Sequence, residues 1–287
     1  MAHEIGSIMY EEEFISNSRG LKLFTCRWLP ENRDPKALIF ICHGYAMDCS
    51  ISMEGTGTRL AKAGFAVYGI DCEGHGKSPG LLGYIHCFDD LVNDCSDHFT
   101  TICERKENTT KQRFLLGESM GGTVALRLHQ KKPNYYDGAV LVAPMCKVRS
   151  NPYCYKGRLR LKTGNELLRV SLDVEQKLHQ VSLPFIIVHG GDDKVTDPSV
   201  SKLLYESASS SDKTFKLYPG MWHALTSGEP PENIDIVFAD IIAWIDKRAA
   251  IGNSRLESEQ KREFDTQFQP INGKKLVLES DERKLNI

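Results

Sequence analysis

A serine flanked by glycines, Gly117-Glu118-Ser119-Met120-Gly121, follows the apolar run Phe114-Leu115-Leu116 and precedes a helical stretch that opens at Gly122. In that setting G-x-S-x-G is a turn sharp enough to strain the serine's dihedrals, and small residues two positions either side let neighbouring backbones pass. The turn pushes the Ser119 hydroxyl out at the carboxyl end of a sheet. It leaves the Met120 N–H at a helix N-terminus, where negative charge is favoured. The chemistry this predicts is attack on an acyl carbon, with Ser119 as candidate nucleophile and the Met120 N–H as candidate donor to the oxyanion.

A serine hydroxyl attacks only when a base takes its proton, so a histidine has to stand nearby. In open α/β sheets with such a turn, the acid and then the histidine follow the serine along the chain. Four histidines lie downstream: His129, His179, His189 and His223. His129 falls in the helix after the serine, and His179 in a segment that leads into a strand. His189 closes a strand before Gly190, where a buried, hydrogen-bonded histidine is the simpler reading. His223, in Pro219-Gly220-Met221-Trp222-His223-Ala224, follows the last strand at the sheet edge that Ser119 reaches, and is the candidate base.

The acid that orients it should follow the strand over 185–189, where Asp192, Asp193 and Asp197 compete. Asp197-Pro198 reads as a helix N-cap with proline at the first helical position. Periodicity leaves Asp192 and Asp193 open. A second oxyanion donor is expected from the loop His43-Gly44-Tyr45-Ala46-Met47-Asp48, with the Tyr45 N–H best placed; His43-Gly44 also reads as a tight turn.

Two other patterns are decoys. Gly74-His75-Gly76-Lys77-Ser78 ends like a phosphate-binding loop, but Asp71 stands where that motif needs glycine. His43-x4-Asp48 has the form of an acyltransferase motif, and with Ser119 present it reads as part of the oxyanion loop.

These residues need a scaffold that brings them to one edge. Apolar runs over 37–42, 65–71, 113–116, 138–143, 185–189 and 214–218 read as strands covered on both faces. Before them, 13–17 and 21–28 read as an antiparallel pair turned by Ser18-Arg19-Gly20. Three amphipathic stripes lie between or after the strands: Phe88, Leu91, Val92, Cys95, Phe99 and Ile102; Val200, Leu203, Leu204 and Ala208; and Ile234, Val237, Ile241, Trp244 and Ile245. Such alternation predicts a mostly parallel, doubly wound α/β sheet. Residues 145–161 leave this pattern, and 250–287 are polar and read as a mobile tail with one helical turn or two.

Composition narrows the function classes. The 287 residues carry ordinary apolar and charged fractions (41% and 26%) and a net charge of −2, which offers no footprint for nucleic acid. The nine cysteines are scattered without a CxxC pair, and several, Cys42, Cys72 and Cys146, sit in or beside apolar runs and read as buried thiols of a reducing compartment. The nine histidines do not cluster as a metal site would need. The opening MAHEIGSIMYEEEF has no basic head or apolar core of a signal peptide, and no run is apolar enough to span a membrane. A cytoplasmic address follows, with peripheral membrane contact left open, as is the oligomeric state.

Tyr10-Glu11-Glu12-Glu13-Phe14, the loop HGYAMD, GHGKSPG, GESMGG, LVAPMCK, VTDP and LYPGMWHALTSGEP together resemble plant monoacylglycerol lipase-like hydrolases, a group that includes caffeoylshikimate esterases and lysophospholipases. The resemblance runs from about Tyr10 to Arg248. It implies the α/β-hydrolase fold and hydrolysis of a small acyl ester through an acyl-serine, with no metal or organic cofactor. Aligned on VTDP, the family's acid falls on Asp193, and Asp192, where relatives carry a small residue, is expected to be solvated. Relatives also carry a helical cap between LVAPMCK and NPYCYKGR. Here Val148-Arg149-Ser150 joins the two directly, so a hydrolase domain over 1–249 is expected to hold only a reduced cap over 145–182, whose amphipathic part uses Leu167, Leu168, Leu172 and Leu178. Two rival readings keep the same residues: an acyltransferase using the same acyl-enzyme, and a weakly catalytic ligand binder with a trimmed cap.

Overall fold

The computed structural model describes residues 2–4, 8–31, 33–146 and 160–267. Three antiparallel strands come first: β1 (Ala2–Glu4), β2 (Ile8–Ser16) and β3 (Lys22–Pro30). The hairpin expected around Ser18-Arg19-Gly20 is present, with Ser16 opposite Lys22 and Gly20 at φ 80°, a value that only glycine adopts freely. Both its strands are longer than predicted. β1, only three residues long, has too short a pattern to be read from sequence.

Six parallel strands follow: β4 (Leu38–Cys42), β5 (Ala66–Ile70), β6 (Arg113–Glu118), β7 (Gly138–Val142), β8 (Phe185–Gly190) and β9 (Lys213–Tyr218). All six were legible as apolar runs. The nine strands form one sheet in the order β1-β2-β3-β5-β4-β6-β7-β8-β9. The chain leaves β4 for β5 on one side, then crosses to β6 on the other. The connections after β4 and β6 therefore diverge, opening a crevice at their carboxyl ends, which is where open α/β sheets bind ligands. In register, Cys42 lies beside Gly117, so the two strands end together.

Helices cover both faces. α2 (Phe88–Cys103), α3 (Met120–Lys131), α4 (Leu161–Gln176) and α5 (Pro198–Ser207) pack on one side, α1 (Glu54–Lys62) and α6 (Pro231–Gln267) on the other. Side chains of each central strand sort by parity. Leu38, Phe40 and Cys42 of β4 join the core under α2 and α3, whereas Ile39 and Ile41 join the core with Leu60 of α1 and Ile241 of α6. That is why these strands are apolar at every position. The predicted stripe of α2 is buried throughout, with the Phe99 ring stacked 4.7 Å from that of Phe40.

Two expectations need correction. The C-terminal region is helical well beyond one or two turns after residue 250, because α6 runs to Gln267. The segment over 253–267 is rich in Glu, Lys, Arg and Gln and lacks proline, so its polarity is compatible with helix. The rest of the expected tail, 268–287, lies outside the described residues. In the reduced cap, Leu167 and Leu178 are buried as expected, but Leu168 and Leu172 are 42% and 43% exposed. The buried face of α4 is Thr163, Glu166, Leu167, Val170, Ser171 and Val174, a spacing of three and four that leaves Leu168 and Leu172 outside it. The direct junction at Val148-Arg149-Ser150 also lies outside the described residues.

α4 is bolted to the core by polar contacts. Thr163 Oγ1 accepts from the Ile85 N–H at 3.0 Å, and Glu166 Oε2 accepts from the Phe88 N–H at 3.0 Å. Cys87, the N-cap residue of α2, makes no side-chain capping bond, so a carboxylate from another helix serves an exposed end of α2. Burial opposes the charge on Glu166, but the Phe88 N–H, Lys162 and Arg169 outweigh it and bring its carboxyl down to about 2. A carboxylate whose folded value is depressed stabilises the fold above its unfolded value and loses that contribution as pH falls through the folded one. Glu166→Gln should therefore lower Tm by about 2–4 °C at neutral pH, the effect of losing a cap worth about 1 kcal/mol. The difference from the parent should close as pH falls from about 4.5 to about 2, read by thermal melts across that window.

Candidate active site

The elbow is built by glycines that admit no side chain. A Cβ on Gly121 would stand 1.8 Å from Cys42 O, and one on Gly117 would stand 2.3 Å from Gly121 O. These approaches press the start of α3 against the end of β4. Between them Ser119 takes φ 54° and ψ −116°, a conformation that a non-glycine residue holds only when its surroundings impose it. Its N–H donates to Val142 O at 2.9 Å, and its carbonyl accepts from Gly122 and Met145. Ser119 is partly exposed, while Glu118 and Met120 on either side are buried. The Met120 N–H opens α3, where the first turn has no intrahelical acceptor.

The second predicted donor lies in the turn after β4. Met47 N–H donates to Gly44 O at 3.2 Å, Ala46 takes φ 58°, and the Tyr45 hydroxyl donates to Gly83 O at 2.8 Å. His43 holds this turn in place, with its Nδ1 2.8 Å from Gly44 O and its Nε2 accepting from the Cys72 N–H at 3.0 Å. Both contacts suit a neutral ring with the proton on Nδ1. Asp48 accepts from the Ile51 N–H and from Ser50 and Ser52, closing its own loop. The other decoy is disposed of by Asp71, whose carboxylate accepts from Lys77 N–H at 2.8 Å and Cys49 N–H at 2.7 Å. The acid that spoils the phosphate motif takes up the backbone donors itself.

After β8, Asp192 is exposed, as expected, and Asp193 is buried. Asp193 Oδ2 lies 2.7 Å from His223 Nδ1, which leaves the other ring nitrogen, Nε2, as the proton acceptor. Asp193 Oδ1 accepts from the Val195 N–H at 2.7 Å and the Thr196 N–H at 3.0 Å. Burial alone would raise this carboxyl. Hydrogen bonds from His189, His223 and the Val195 N–H outweigh burial and hold it well below the usual carboxylate range. Asp197 caps α5 through the Ser199 N–H, the role its sequence context predicted.

Among the described residues no hydrogen bond joins Ser119 Oγ to His223. What links their loops is Glu118: Thr226, three residues past His223, donates to Glu118 Oε2 at 2.7 Å. Catalytic bonds of this kind commonly close only around substrate. Burial pushes the Glu118 carboxyl up. Sequence reasoning missed this tether and missed the His189–Asp193 contact, because neither residue type nor spacing announces them. The remaining histidines stand apart: His129 accepts from the Ser182 N–H, and His179 is exposed. Among the described residues no group of three or more His, Cys, Asp or Glu side chains is arranged to hold a metal ion, and no helix is long and apolar enough to cross a membrane.

Known proteins share this architecture. A family model described as serine aminopeptidase, S33 (Hydrolase_4), matches residues 33–152 and 147–231. Caffeoylshikimate esterase of Arabidopsis thaliana is 31% identical over 292 residues, 83% of this chain and 88% of that protein. Human monoglyceride lipase is 30% identical, over 85% of this chain and 93% of its own. A soluble variant of Saccharomyces cerevisiae monoglyceride lipase, solved with a substrate analogue, superimposes with a TM-score of 0.69 at 20% identity, covering 82% of this chain and 94% of that one. The Butyrivibrio proteoclasticus protein Est1E, solved with ferulic acid, gives 0.69 at 18%, covering 83% and 99%. At those identities the two structures establish the fold. With the family model matched over more than half its length and relatives at 30% identity or above, the chain belongs to the Hydrolase_4 family and is a serine ester hydrolase of the α/β-hydrolase fold.

Proposed function

We propose that the chain cleaves monoacylglycerol or a related acyl ester, such as a lysophospholipid or a caffeoylshikimate-type phenolic ester, through an acyl-Ser119 intermediate. The observation that carries this reading is the 2.7 Å bond from His223 Nδ1 to the buried Asp193, beside a serine held at positive φ. His223 Nε2 takes the Ser119 proton as the hydroxyl oxygen attacks the ester carbonyl. The N–H groups of Tyr45 and Met120 donate to the developing oxyanion. Collapse expels the alcohol, which leaves with the proton from His223. A water then gives up a proton to the same nitrogen and attacks the acyl-serine, and the acid is released as His223 returns that proton to Ser119 Oγ. Asp193 stays ionised throughout and stabilises the imidazolium.

The choice of ester rests on the relatives, which bear the names caffeoylshikimate esterase and monoglyceride lipase. The cap bears on chain length. The 292-position alignment with the esterase takes in 83% of this chain, so several dozen of its positions have no counterpart here. The family model breaks into two segments at 147–152, the junction where the resemblance places the missing cap. A long acyl chain draws about 0.8 kcal/mol of binding from each methylene it buries, so a shortened wall costs long chains most.

Ser119→Ala should abolish hydrolysis while leaving the thermal melt unchanged. Asp193→Asn should lower kcat by about 10⁴, through the wrong imidazole tautomer. Across a panel of monoacylglycerols, lysophospholipids and hydroxycinnamoyl esters, short soluble esters should turn over and long-chain monoacylglycerols should show raised KM and lowered kcat. Activity on long chains equal to that of a full-cap relative would overturn the cap argument. Activity retained by Ser119→Ala would overturn the mechanism.

A further inference from the structure

Asp193 is shared by two histidines. Besides His223 Nδ1 at 2.7 Å, its Oδ2 lies 3.1 Å from Nε2 of His189, the single histidine of β8. The other nitrogen of that ring, Nδ1, lies 2.8 Å from Ser201 Oγ on α5. A Ser201–His189 pair and His223 therefore meet at one carboxylate oxygen. Ser201 and His189 are wholly buried, which closes their chain to any substrate, whereas His223 is partly exposed.

The hydrogen-bond pattern fixes the His189 proton. A lone pair on Nε2 facing the Asp193 carboxylate would be repelled, so Nε2 carries the proton and donates, and Nδ1 accepts from the Ser201 hydroxyl. Asp193 Oδ1 takes the Val195 and Thr196 N–H groups, and Oδ2 is met by His223 Nδ1 at 2.7 Å, the Thr196 hydroxyl at 2.9 Å and His189 Nε2 at 3.1 Å. The Thr196 hydroxyl stands among this set, 2.9 Å from Oδ2, 3.1 Å from Ala143 O, 3.2 Å from His223 Nδ1 and 3.4 Å from His189 Nε2.

We infer that His189 is a positioning residue of the active site: held by Ser201, it fixes the Asp193 carboxylate and takes part of its charge, setting how strongly that carboxylate holds the His223 imidazolium. The inference rests on the Ser119–His223–Asp193 reading above. The charged or titratable groups facing this set are few. His223 comes from the loop after β9 and Glu118 from the end of β6, while Asp192 and Lys194 of the Asp193 loop are exposed.

Without the His189 donor, the full carboxylate charge falls on His223. The base then stays protonated to higher pH, and fewer molecules are competent at a given acidity. The test uses the full-length protein on a soluble short-chain ester, with competent serines counted by a fluorophosphonate probe. His189→Leu should lower kcat per labelled site about tenfold, the scale of one hydrogen bond to a charged group. KM should hold, and the acidic limb of the kcat/KM profile should move to higher pH. His189→Gln, whose amide N–H can replace Nε2–H, should stay within about threefold of the parent with the limb in place. Ser201→Ala should move the limb in the same direction as His189→Leu but by less.

A His189→Leu enzyme with parental kcat and limb per labelled site overturns the inference, as does a His189→Gln enzyme as impaired as the leucine variant. If the leucine variant does not fold, an unmoved limb in Ser201→Ala overturns it. Failure of the underlying reading looks different: there the parent refuses the probe, or Ser119→Ala still hydrolyses the ester.

Discussion

At Gly121 the elbow backbone lies against the carbonyl of Cys42 so closely that no side chain can intervene. The rest of the site depends on that approach. It joins the carboxyl ends of β4 and β6, the two strands from which the chain departs in opposite directions. It thereby puts the Tyr45 turn and the Ser119 elbow on one edge of the sheet, although more than seventy residues separate them. The strained dihedrals of Ser119 follow from the same packing. The serine carbonyl is occupied by Gly122 and Met145 and its N–H by Val142, so the residue has no relaxed alternative.

Two carboxyl groups near one imidazole are shifted in opposite directions by their surroundings. Asp193 is met by the Val195 and Thr196 N–H groups, the Thr196 hydroxyl and two imidazoles, and its carboxyl is held down despite burial. Glu118 has the Thr226 hydroxyl and little else to offset burial, so its carboxyl is pushed up. The difference is useful. A carboxyl pushed up by burial competes less with Asp193 for the charge on His223, while its bond to Thr226 ties the elbow to the histidine loop.

The parts that were legible in the sequence are those with local patterns. The central parallel strands read as apolar runs because both faces are covered, whereas the edge strand β9 is covered in part, and the G-x-S-x-G between strand and helix marks the elbow. His223 could be chosen from four histidines by its place after the last strand. Asp192 and Asp193 could not be separated by periodicity, since both follow β8 and the difference lies in which side chain turns inward; family resemblance selected Asp193. The links between distant positions were not legible. Glu166 serves the start of α2 across 78 residues, Glu118 meets Thr226 across 108, and no local rule pairs them. The extension of α6 was missed because polar composition was taken for want of structure, although a helix on a surface needs few apolar residues.

The anchoring of α4 has a further consequence. Thr163 and Glu166 grip backbone groups of Ile85 and Phe88, and Cys146 at the other end is sealed in the core. The connection from Cys146 to Leu161 thus begins and ends at fixed posts, and its length can vary without disturbing the sheet, the elbow or the acid loop. On the function proposed above, that span is the replaceable part: a longer one strung between the same two posts would change which acyl chains fit and leave the serine, acid and histidine loops as they are.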